Sequence, residues 1–259
     1  PVRWFVDLSL EAEVFDASTY CKNQARLLAH EVADLFFSEV VELARRNGWV
    51  SNDHFSVDST LIEAWAALKS FKPKGTDQGP GGGNTWTDFK GEKRSNATHE
   101  STTDSEAKLV RKGPGKEARL SFAGHATMEN RNGLCVLFEV HPAVGAPESQ
   151  VAVEQAVELR NRGFKPKTNG GDKGYHTEEF VTGMRELGIV PHPALKAGQR
   201  TLRVVCTAAH AASQKVRKRI EEIFGWTKTT GCFRKSRYHG VERTHAQGQY
   251  VVATWNLVR

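Results

Sequence analysis

Two strand-like runs joined by a short polar turn constrain the fold of this 259-residue chain more than any other feature. Residues 118–129 and 133–143 follow the patterns of strands, and the turn between them reads Asn130-Arg131-Asn132-Gly133. Asn and Gly readily adopt the left-handed backbone conformations that tight hairpin turns need. The sequence therefore predicts an antiparallel β-hairpin at this point.

Helical and strand-like patterns alternate on both sides of the hairpin. Before it, HFSVDSTLIEAW (residues 54–65) predicts a buried strand that ends near Asp58. After it the patterns predict, in order, a helix over about 148–162, a short extended segment ending at Asp172, a helix over 178–187, a strand over 189–195 and a final helix. This order predicts an α/β fold with a mixed sheet flanked by helices.

Residues 1–50 are predicted to form a separate helical region. Asp16, Ser18 or Thr19 is the candidate N-cap, and a long helix is expected from about Ala29 to the Asn47-Gly48 pair, which is a typical helix end. Its apolar stripe predicts that it packs on another element. The residues of this stripe are Val32, Phe36, Val40 and Leu43.

Residues 72–116 change to Gly, Pro, Ser, Thr and charge, and predict a flexible insertion. The glycines at 79–84 do not form a P-loop, because no Gly-Lys-Ser/Thr follows them. Trp86 and Phe89 stand close to Lys93 and Arg94 in this segment. Aromatic and basic residues in such a mixture bind nucleic acid, although two aromatics in a loop more often pack locally.

The positive charge is concentrated near the end of the chain. The formal net charge is +6 and the pI is about 9.2, and residues 214–243 carry nine basic and three acidic residues. A localised basic surface points to a polyanion, with nucleic acid first and an acidic membrane surface second. A basic surface that serves solubility alone is the simpler alternative.

The four cysteines have no spacing typical of a zinc site. The sequence has no signal peptide and no long apolar segment, so we expect a cytoplasmic, nucleoid-associated protein with reduced thiols and no membrane partner. The chain begins with Pro1 and opens directly on RWFVDLSLE, from which we expect it to start inside a longer protein.

The segment from Gln214 to Lys228 places one acid and two bases on one stripe of a predicted helix. At 100° per residue, Arg217, Glu221 and Lys228 lie within about 40° of one another, and an apolar arc lies beside them. Glu221 is therefore predicted at the boundary of core and solvent, whereas Glu222 points into the polar face. Taken alone, the pattern is typical of a surface helix with an i, i+4 ion pair.

Asp58, Asp172 and Glu221 occupy positions where a folded sheet brings side chains together. Strand ends at one edge of an open sheet converge where ligands bind. A few carboxylates that leave room for water and phosphate oxygens suit Mg²⁺, and two such ions support phosphoryl transfer without a histidine base. We therefore predict these three acids as catalytic metal ligands, with Arg217 and Lys228 contacting phosphates or balancing the acids.

Several long motifs resemble the DDE transposases of bacterial insertion sequences, in the branch with an RNase H-like catalytic domain. The motifs are FSVDSTLIEAWAALKSFKPK, FKGEKRSNATHES, ARLSFAGHATMENRNGL, GGDKGYHTEEFV, SQKVRKRIEEIFGWTKT and HAQGQYVVATWNLVR, so that the likeness runs from about Arg3 to Arg259. In that family the two Asp precede a Glu in the helix signature Tyr-x-x-Arg-x-x-x-Glu-x-x-x-x-x-x-Lys. Asp58, Asp172, Arg217, Glu221 and Lys228 fall on these positions.

The resemblance implies a DNA transposase that cleaves and transfers strands at insertion-sequence ends. It implies two Mg²⁺ ions, replaceable by Mn²⁺, double-stranded DNA as transposon end and target, and a homodimer in the synaptic complex. It divides the chain into a remnant of an N-terminal DNA-binding and dimerisation domain at 1–50 and a catalytic domain at 51–259. The candidate DNA-binding residues are Arg217, Lys228, Lys173, Lys93, Arg94, Arg234 and Arg237.

Three departures from the family pattern leave an alternative open. Gln214 replaces the signature Tyr, His176 stands where relatives commonly carry Asp, and residues 196–212 do not resemble the expected segment. Since the N-terminal domain also matches only in its last part, the alternative is a truncated, catalytically inactive DNA-binding remnant that interferes with an intact transposase. A host RNase H-like nuclease is less favoured, because the insertion and the helix signature follow transposases.

Overall fold

A computed structural model describes residues 9, 11, 16–75, 94–145, 147–197, 204 and 207–259. Its helices are α1 Ala17–Ala29, α2 Val32–Arg46, α3 Glu148–Asn161, α4 Glu178–Glu186, α5 Ala208–Val216, α6 Ile220–Lys228 and α7 Val241–Val258. Its strands are β1 His54–Glu63, β2 Phe71–Pro73, β3 His99–Ser101, β4 Lys108–Arg111, β5 Ala118–Glu129, β6 Leu134–Pro142, β7 Thr168–Gly171 and β8 Val190–Pro193. Short 3-10 turns occur at Leu68–Ser70, Lys173–Tyr175 and Arg217–Arg219.

In the described part of the chain, six strands form a mixed sheet. The order is β4-β5-β1-β7-β8, and β6 also pairs with β5. Strand β5 is antiparallel to β1, β4 and β6, whereas β7 is parallel to β1 and β8 is parallel to β7. The predicted hairpin is confirmed as β5–β6, with Gly133 of its turn at a φ of 75°. The predicted α/β class with a mixed sheet flanked by helices is also confirmed.

Two buried clusters hold the helices on the sheet. The larger cluster joins β1, β5 and β6 to α2, α6 and α7, and includes Phe122, Ile223 and Val252. The smaller cluster packs α3 and α4 under the other end of the sheet, around Val57 and Phe180. Burial of apolar surface in both clusters stabilises the packing of the helices on the sheet.

The first strand differs from its prediction. It does not end near Asp58 but continues to Glu63, because β5 pairs with it from Phe55 to Glu63. Only its first residues, 54–56, pair with β7. Asp58 therefore lies in the middle of β1 but just beyond the end of the parallel pairing.

The helical start of the chain agrees with the prediction in outline. Asp16 caps α1, since its carboxylate accepts a hydrogen bond from the Thr19 amide at 2.9 Å. Helix α2 ends at Arg46 with Asn47 as its C-cap, which agrees with the expected end. The long helix starts at Val32 rather than Ala29, because Glu31 adopts a φ of 50° and interrupts it.

The predicted apolar stripe of α2 is wrong in part. Phe36 and Leu43 are exposed, while the buried face is shifted by one residue toward Phe37 and Ala44. The residues of α2 that join the main core are Phe37, Val40 and Val41. The division of the chain at residue 50 stays a prediction, although α2 shares this core with the sheet.

The predicted insertion at 72–116 contains regular structure. Strand β3 pairs with β2, and β4 joins the main sheet beside β5, so these parts are not linkers. The glycines at 79–84, Trp86 and Phe89 lie outside the described residues. The insertion prediction is therefore wrong for 99–101 and 108–111.

The end of the chain has more helical structure than predicted. The final helix is divided into α5 and α6 by the 3-10 turn Arg217–Arg219, and the tail after it forms the 18-residue helix α7. None of the helices in the described residues combines the length and the apolar character that crossing a lipid bilayer requires.

Candidate active site at the ends of β1 and β7

Asp58 and Asp172 both lie just beyond the parallel pairing of β1 and β7. In the parallel pairing, His54 lies opposite Thr168 and Ser56 lies opposite Gly170, an offset of 114 residues. The same offset carried forward sets Asp58 opposite Asp172. Neighbouring strands lie about 5 Å apart, so the fold brings the two predicted aspartates to one edge of the sheet.

The electrostatic environment of Asp58 is unfavourable for a lone carboxylate. Burial, together with the charges of Asp172 and Glu148, raises the pKa of Asp58 to about 6. The Ser59 amide, which donates to Asp58 Oδ1 at 2.8 Å, and the charge of Arg217 oppose this rise. Asp58 thus stands among negative charges that a bound cation would neutralise.

A tight backbone turn positions Asp172. Its side chain caps the 3-10 turn Lys173–Tyr175, and its Oδ1 accepts a hydrogen bond from the Gly174 amide. Gly171, the residue before it, packs directly on Tyr175, because a Cβ at Gly171 would lie 2.8 Å from the Cβ and Cγ of Tyr175. The glycine-rich sequence before Asp172 therefore permits a close approach that larger residues would prevent.

Glu148 is a site residue that the sequence analysis missed. It is the first residue of α3, and its Oε1 accepts a hydrogen bond from the Ser59 hydroxyl. Its charge acts on Asp58 and, after burial, helps to raise the pKa of the Tyr175 phenol. An acid in the first turn of a helix usually stabilises the helix through its macrodipole. The position of Glu148 directly after Pro147 therefore did not indicate a role in a site.

Gln214 connects the ends of β7 and β8 to Arg217. Its Nε2 donates to the carbonyl oxygens of Gly171, at 3.3 Å, and His192, and its Oε1 accepts from Arg217 Nε at 2.9 Å. The residue that replaces the family's Tyr is therefore a positioning residue. It holds the guanidinium of Arg217 near Asp58.

Lys228 and Glu221 lie further along the same helical segment. Lys228 Nζ donates to the Thr60 hydroxyl, two residues from Asp58 on the same face of β1. Glu221 is exposed, and the predicted position at the core boundary is wrong. The buried face of α6 includes Ile220 and Ile223, and Glu221 is rotated about 100° from the first and about 160° from the second, which turns its carboxylate toward solvent.

The site fits a divalent cation in part. In the described part of the chain, no group of three or more Asp, Glu, His or Cys side chains is arranged to hold a metal ion. Mg²⁺, however, commonly binds through one or two carboxylates and completes its shell with waters and phosphate oxygens. The hard oxygens of Asp58 and Asp172, together with the unfavourable charge at Asp58, fit that requirement.

The other predicted DNA-binding residues spread over a wider surface. Lys173 is exposed directly beside Asp172, and Arg234 and Arg237 are exposed in the loop between α6 and α7. Arg94 is half-buried before β3, and Lys93 lies outside the described residues. Arg234 lies close to Lys228, since its charge contributes to lowering the pKa of the Lys228 ammonium after burial and Lys112.

The mixed sheet thus brings Asp58 and Asp172 to one side, with Arg217 and Lys228 on the helical segment that packs beside them. The model of the transposase DDE domain matches residues 51–257, which is most of the chain. The chain therefore belongs to the transposase DDE-domain family. No curated protein sequence matches it.

Solved structures that resemble the chain do so at low identity. The piggyBac transposase in its synaptic complex with hairpin DNA has a TM-score of 0.44 and 7% identity, over 93% of this chain and 54% of that chain. A chain of the simian T-cell lymphotropic virus intasome has a TM-score of 0.36 and 8% identity, over 79% of this chain and 48% of that chain. The Mos1 transposase paired-end complex has a TM-score of 0.29 and 9% identity, over 96% of this chain and 63% of that chain. The chain thus spans about half to two thirds of these structures.

Proposed function

We propose that the chain is the transposase of a bacterial insertion sequence and that it cleaves and transfers DNA strands at the ends of its element. One observation carries the proposal beyond the family. Asp58 and Asp172 lie just beyond the parallel pairing of β1 and β7, and the charges of Asp172, Glu148 and Arg217 all act on Asp58. The basic surface around Lys228 supplies the complementary charge for a DNA backbone.

Asp58 and Asp172 are the proposed ligands of Mg²⁺ or Mn²⁺, and the family pattern assigns Glu221 as the third carboxylate of a two-ion site. Bound ions would lower the pKa of an attacking water or 3′-hydroxyl and stabilise the leaving oxygen. Asp58 is suited to this role because the charges of Asp172 and Glu148 disfavour its ionised form in the absence of a cation. Glu148 adds to the negative charge at this edge and orients Ser59.

Arg217 and Lys228 are the proposed phosphate contacts. Gln214 fixes the guanidinium of Arg217 beside the aspartates, so its charge is available to an incoming phosphate without a rearrangement of the side chain. Lys228 is held at Thr60 on the same face of β1. Lys173 and Arg234 would extend this positive surface along the DNA.

The proposed partner is double-stranded DNA, as transposon end and as target, and the proposed active form is a homodimer in a synaptic complex. A DNA substrate would place the protein at the nucleoid. These assignments rest on the family and on the localised charge at residues 214–243. The division into a helical region at 1–50 and a catalytic domain from residue 51 belongs to the same proposal.

The test is metal-dependent nicking of supercoiled plasmid and of DNA that carries the element's ends. Wild-type protein with Mg²⁺ or Mn²⁺ is compared with Asp58→Asn and Glu221→Gln, and with the matched controls Asp53→Asn and Glu222→Gln. We expect both site variants to lose nicking by at least about a hundredfold and both controls to keep it. If wild-type protein nicks no better than Asp58→Asn, the catalytic proposal is wrong.

A second candidate function is an inactive DNA-binding protein that interferes with an intact transposase. The exposed position of Glu221, together with the lack of a three-carboxylate cluster in the described residues, favours it. In the same assay this candidate predicts salt-dependent DNA binding without nicking by wild-type protein. Binding should weaken with a slope near −0.9 per neutralised phosphate as salt increases.

A further inference from the structure

Trp65 presents an exposed indole ring close to the end of β1. Its exposed fraction is 52%, although β1 itself lies in the centre of the sheet. Lys235 Nζ lies 5.5 Å from the centroid of the indole ring, within the range of a cation–π interaction. An exposed aromatic ring with a cation against it is the arrangement that binds unpaired nucleobases in single-stranded DNA.

The backbone that carries Trp65 is firmly held. The Ala64 amide donates to the Leu120 carbonyl at 2.8 Å, and the Glu63 amide donates to the Arg234 carbonyl at 3.0 Å. In return, the Ser236 amide donates to the Glu63 carbonyl at 2.7 Å. The segment with Arg234 and Lys235 therefore extends the sheet beside the end of β1, so the ring and its cation are positioned together.

A row of cations connects Trp65 to the proposed catalytic edge. Lys228 contacts Thr60, and the charges of Lys112 and Arg234 act on Lys228. Two carboxylates pair with cations near the end of β1: Glu63 with Arg119 at 2.7 Å and with Lys235 at 3.9 Å, and Glu117 with Arg119 at 3.1 Å. The row therefore keeps a net positive charge from Thr60 to the indole ring.

The length of this row fits a short piece of a nucleic-acid strand. Seven residues separate Asp58 from Trp65, which is roughly 20 Å along an extended strand. Roughly six base pairs of duplex DNA, at 3.4 Å each, span the same distance, and an extended unpaired strand covers it with fewer nucleotides. Bases inside a duplex are stacked on their neighbours, so a free aromatic ring at this distance would favour a strand whose bases are unpaired.

We propose that Trp65 and Lys235 form a stacking subsite for an unpaired base on a single-stranded DNA segment that flanks the Asp58–Asp172 site. The subsite rests on the proposed function, since it assumes that DNA is bound at that edge. Its chemical requirement is a nucleobase with a free face on a strand whose phosphates lie along the cation row. Nothing in the subsite distinguishes one base from another, so the stacking is expected to be independent of sequence.

The experiment measures binding in EDTA, so that no metal-dependent cleavage occurs. Two duplexes are compared by fluorescence anisotropy, one blunt and one with a single-stranded flank of about ten nucleotides, long enough to reach Trp65. A 2-aminopurine in the flank reports stacking through the quenching of its fluorescence. The proteins are wild type, Trp65→Ala, Trp65→Phe and Trp49→Ala, in which the control removes an indole that is 55% exposed after α2.

We expect Trp65→Ala to weaken binding of the flanked duplex by at least about fivefold and to abolish the quenching. Binding of the blunt duplex should change by less than about twofold, because it offers no unpaired base. Trp65→Phe keeps an aromatic face and should retain most of the quenching, and Trp49→Ala should behave as wild type. Circular dichroism confirms that each variant is folded.

Two results would overturn the subsite while leaving the proposed function intact. The first is that Trp65→Ala binds the flanked duplex and quenches its 2-aminopurine fluorescence as strongly as the wild-type protein does. The other is an equal loss for the flanked and the blunt duplex, which would assign Trp65 to general DNA contact or to folding. If wild-type protein binds neither duplex, the proposed function itself fails, and the subsite fails with it.

Discussion

Replacing Gln214 with methionine should release Arg217 from the ends of β7 and β8. The substitution conserves the length of the side chain but removes the two donated hydrogen bonds, to Gly171 and His192, and the acceptor for Arg217 Nε. The Gly171 carbonyl keeps the Ala194 amide as a donor, so the main loss is at His192 and Arg217. At about 0.5–1.5 kcal/mol for each net hydrogen bond, we expect a loss of about 1–2 kcal/mol in the free energy of unfolding.

The same change should lower the rate of metal-dependent nicking about three- to tenfold, because about 1 kcal/mol of positioning is removed from the guanidinium. Arg217→Met should reduce the rate further. If Gln214 acts through Arg217, the double variant should be no slower than Arg217→Met alone, which is a non-additive result. Urea unfolding and single-turnover nicking measure the two effects.

Gln150→Met is the matched control for this cycle. Gln150 is exposed at the start of α3, and its amide donates to Glu154 Oε1 at 2.9 Å. Loss of this exposed hydrogen bond should change the free energy of unfolding by less than about 0.5 kcal/mol. Additive losses of rate in the double variant would refute the role of Gln214 in positioning Arg217. Equal stability of Gln214→Met and Gln150→Met would refute the magnitude worked from the hydrogen bonds.

Three further perturbations follow from the same geometry. Glu148→Gln removes a negative charge beside Asp58, so NMR titration of the metal-free protein should give an Asp58 pKa below its value of about 6. Gly171→Ala adds a Cβ only 2.8 Å from Tyr175 atoms, and urea unfolding should show a loss of about 1–3 kcal/mol. His125 is buried and its pKa is lowered to about 4, so the unfolded state takes up its proton first as the pH falls from 6.5 to 4. Stability should therefore fall by up to about 3 kcal/mol over that range, and His125→Phe should remove this part of the decrease.

Each of these predictions has a control on a comparable residue. Glu154→Gln removes an exposed charge from the same helix as Glu148 and should leave the Asp58 pKa unchanged. Gly225→Ala meets no atom within 4 Å and should preserve or raise stability, as expected for a helical glycine. His239 is exposed, and His239→Phe should show the same decrease in stability at acid pH as the wild-type protein. A control that behaves like its test variant contradicts the corresponding prediction.

The paired aspartates show which part of the site the sequence predicts. Asp172 follows a short glycine-bounded segment, and this placement at a strand end is confirmed. The 114-residue offset that sets it opposite Asp58 depends on how β7 docks on β1, and no local pattern contains that register. For the same reason Glu148 was missed, because only the folded sheet brings the start of α3 to Ser59.

The end of the chain shows why helical patterns alone were insufficient. The stripe through Arg217, Glu221 and Lys228 assumed a uniform rotation, whereas the 3-10 turn changes the rotation in the middle of the signature. Helix α7 went unpredicted because its glycine and β-branched residues are weak helix formers. Tertiary packing stabilises α7 despite these residues, since Gly248 permits a close approach of the helix to the Phe138 ring.

Binding of Mn²⁺, followed by electron paramagnetic resonance, tests the central claim most directly, that Asp58 and Asp172 together form a metal site. Wild-type protein is titrated in the presence of duplex DNA and compared with Asp58→Asn, Asp172→Asn and the control Asp53→Asn. Saturable binding by wild type and Asp53→Asn, with a large loss in both site variants, is the predicted result. Undiminished binding by Asp58→Asn or Asp172→Asn would contradict the claim.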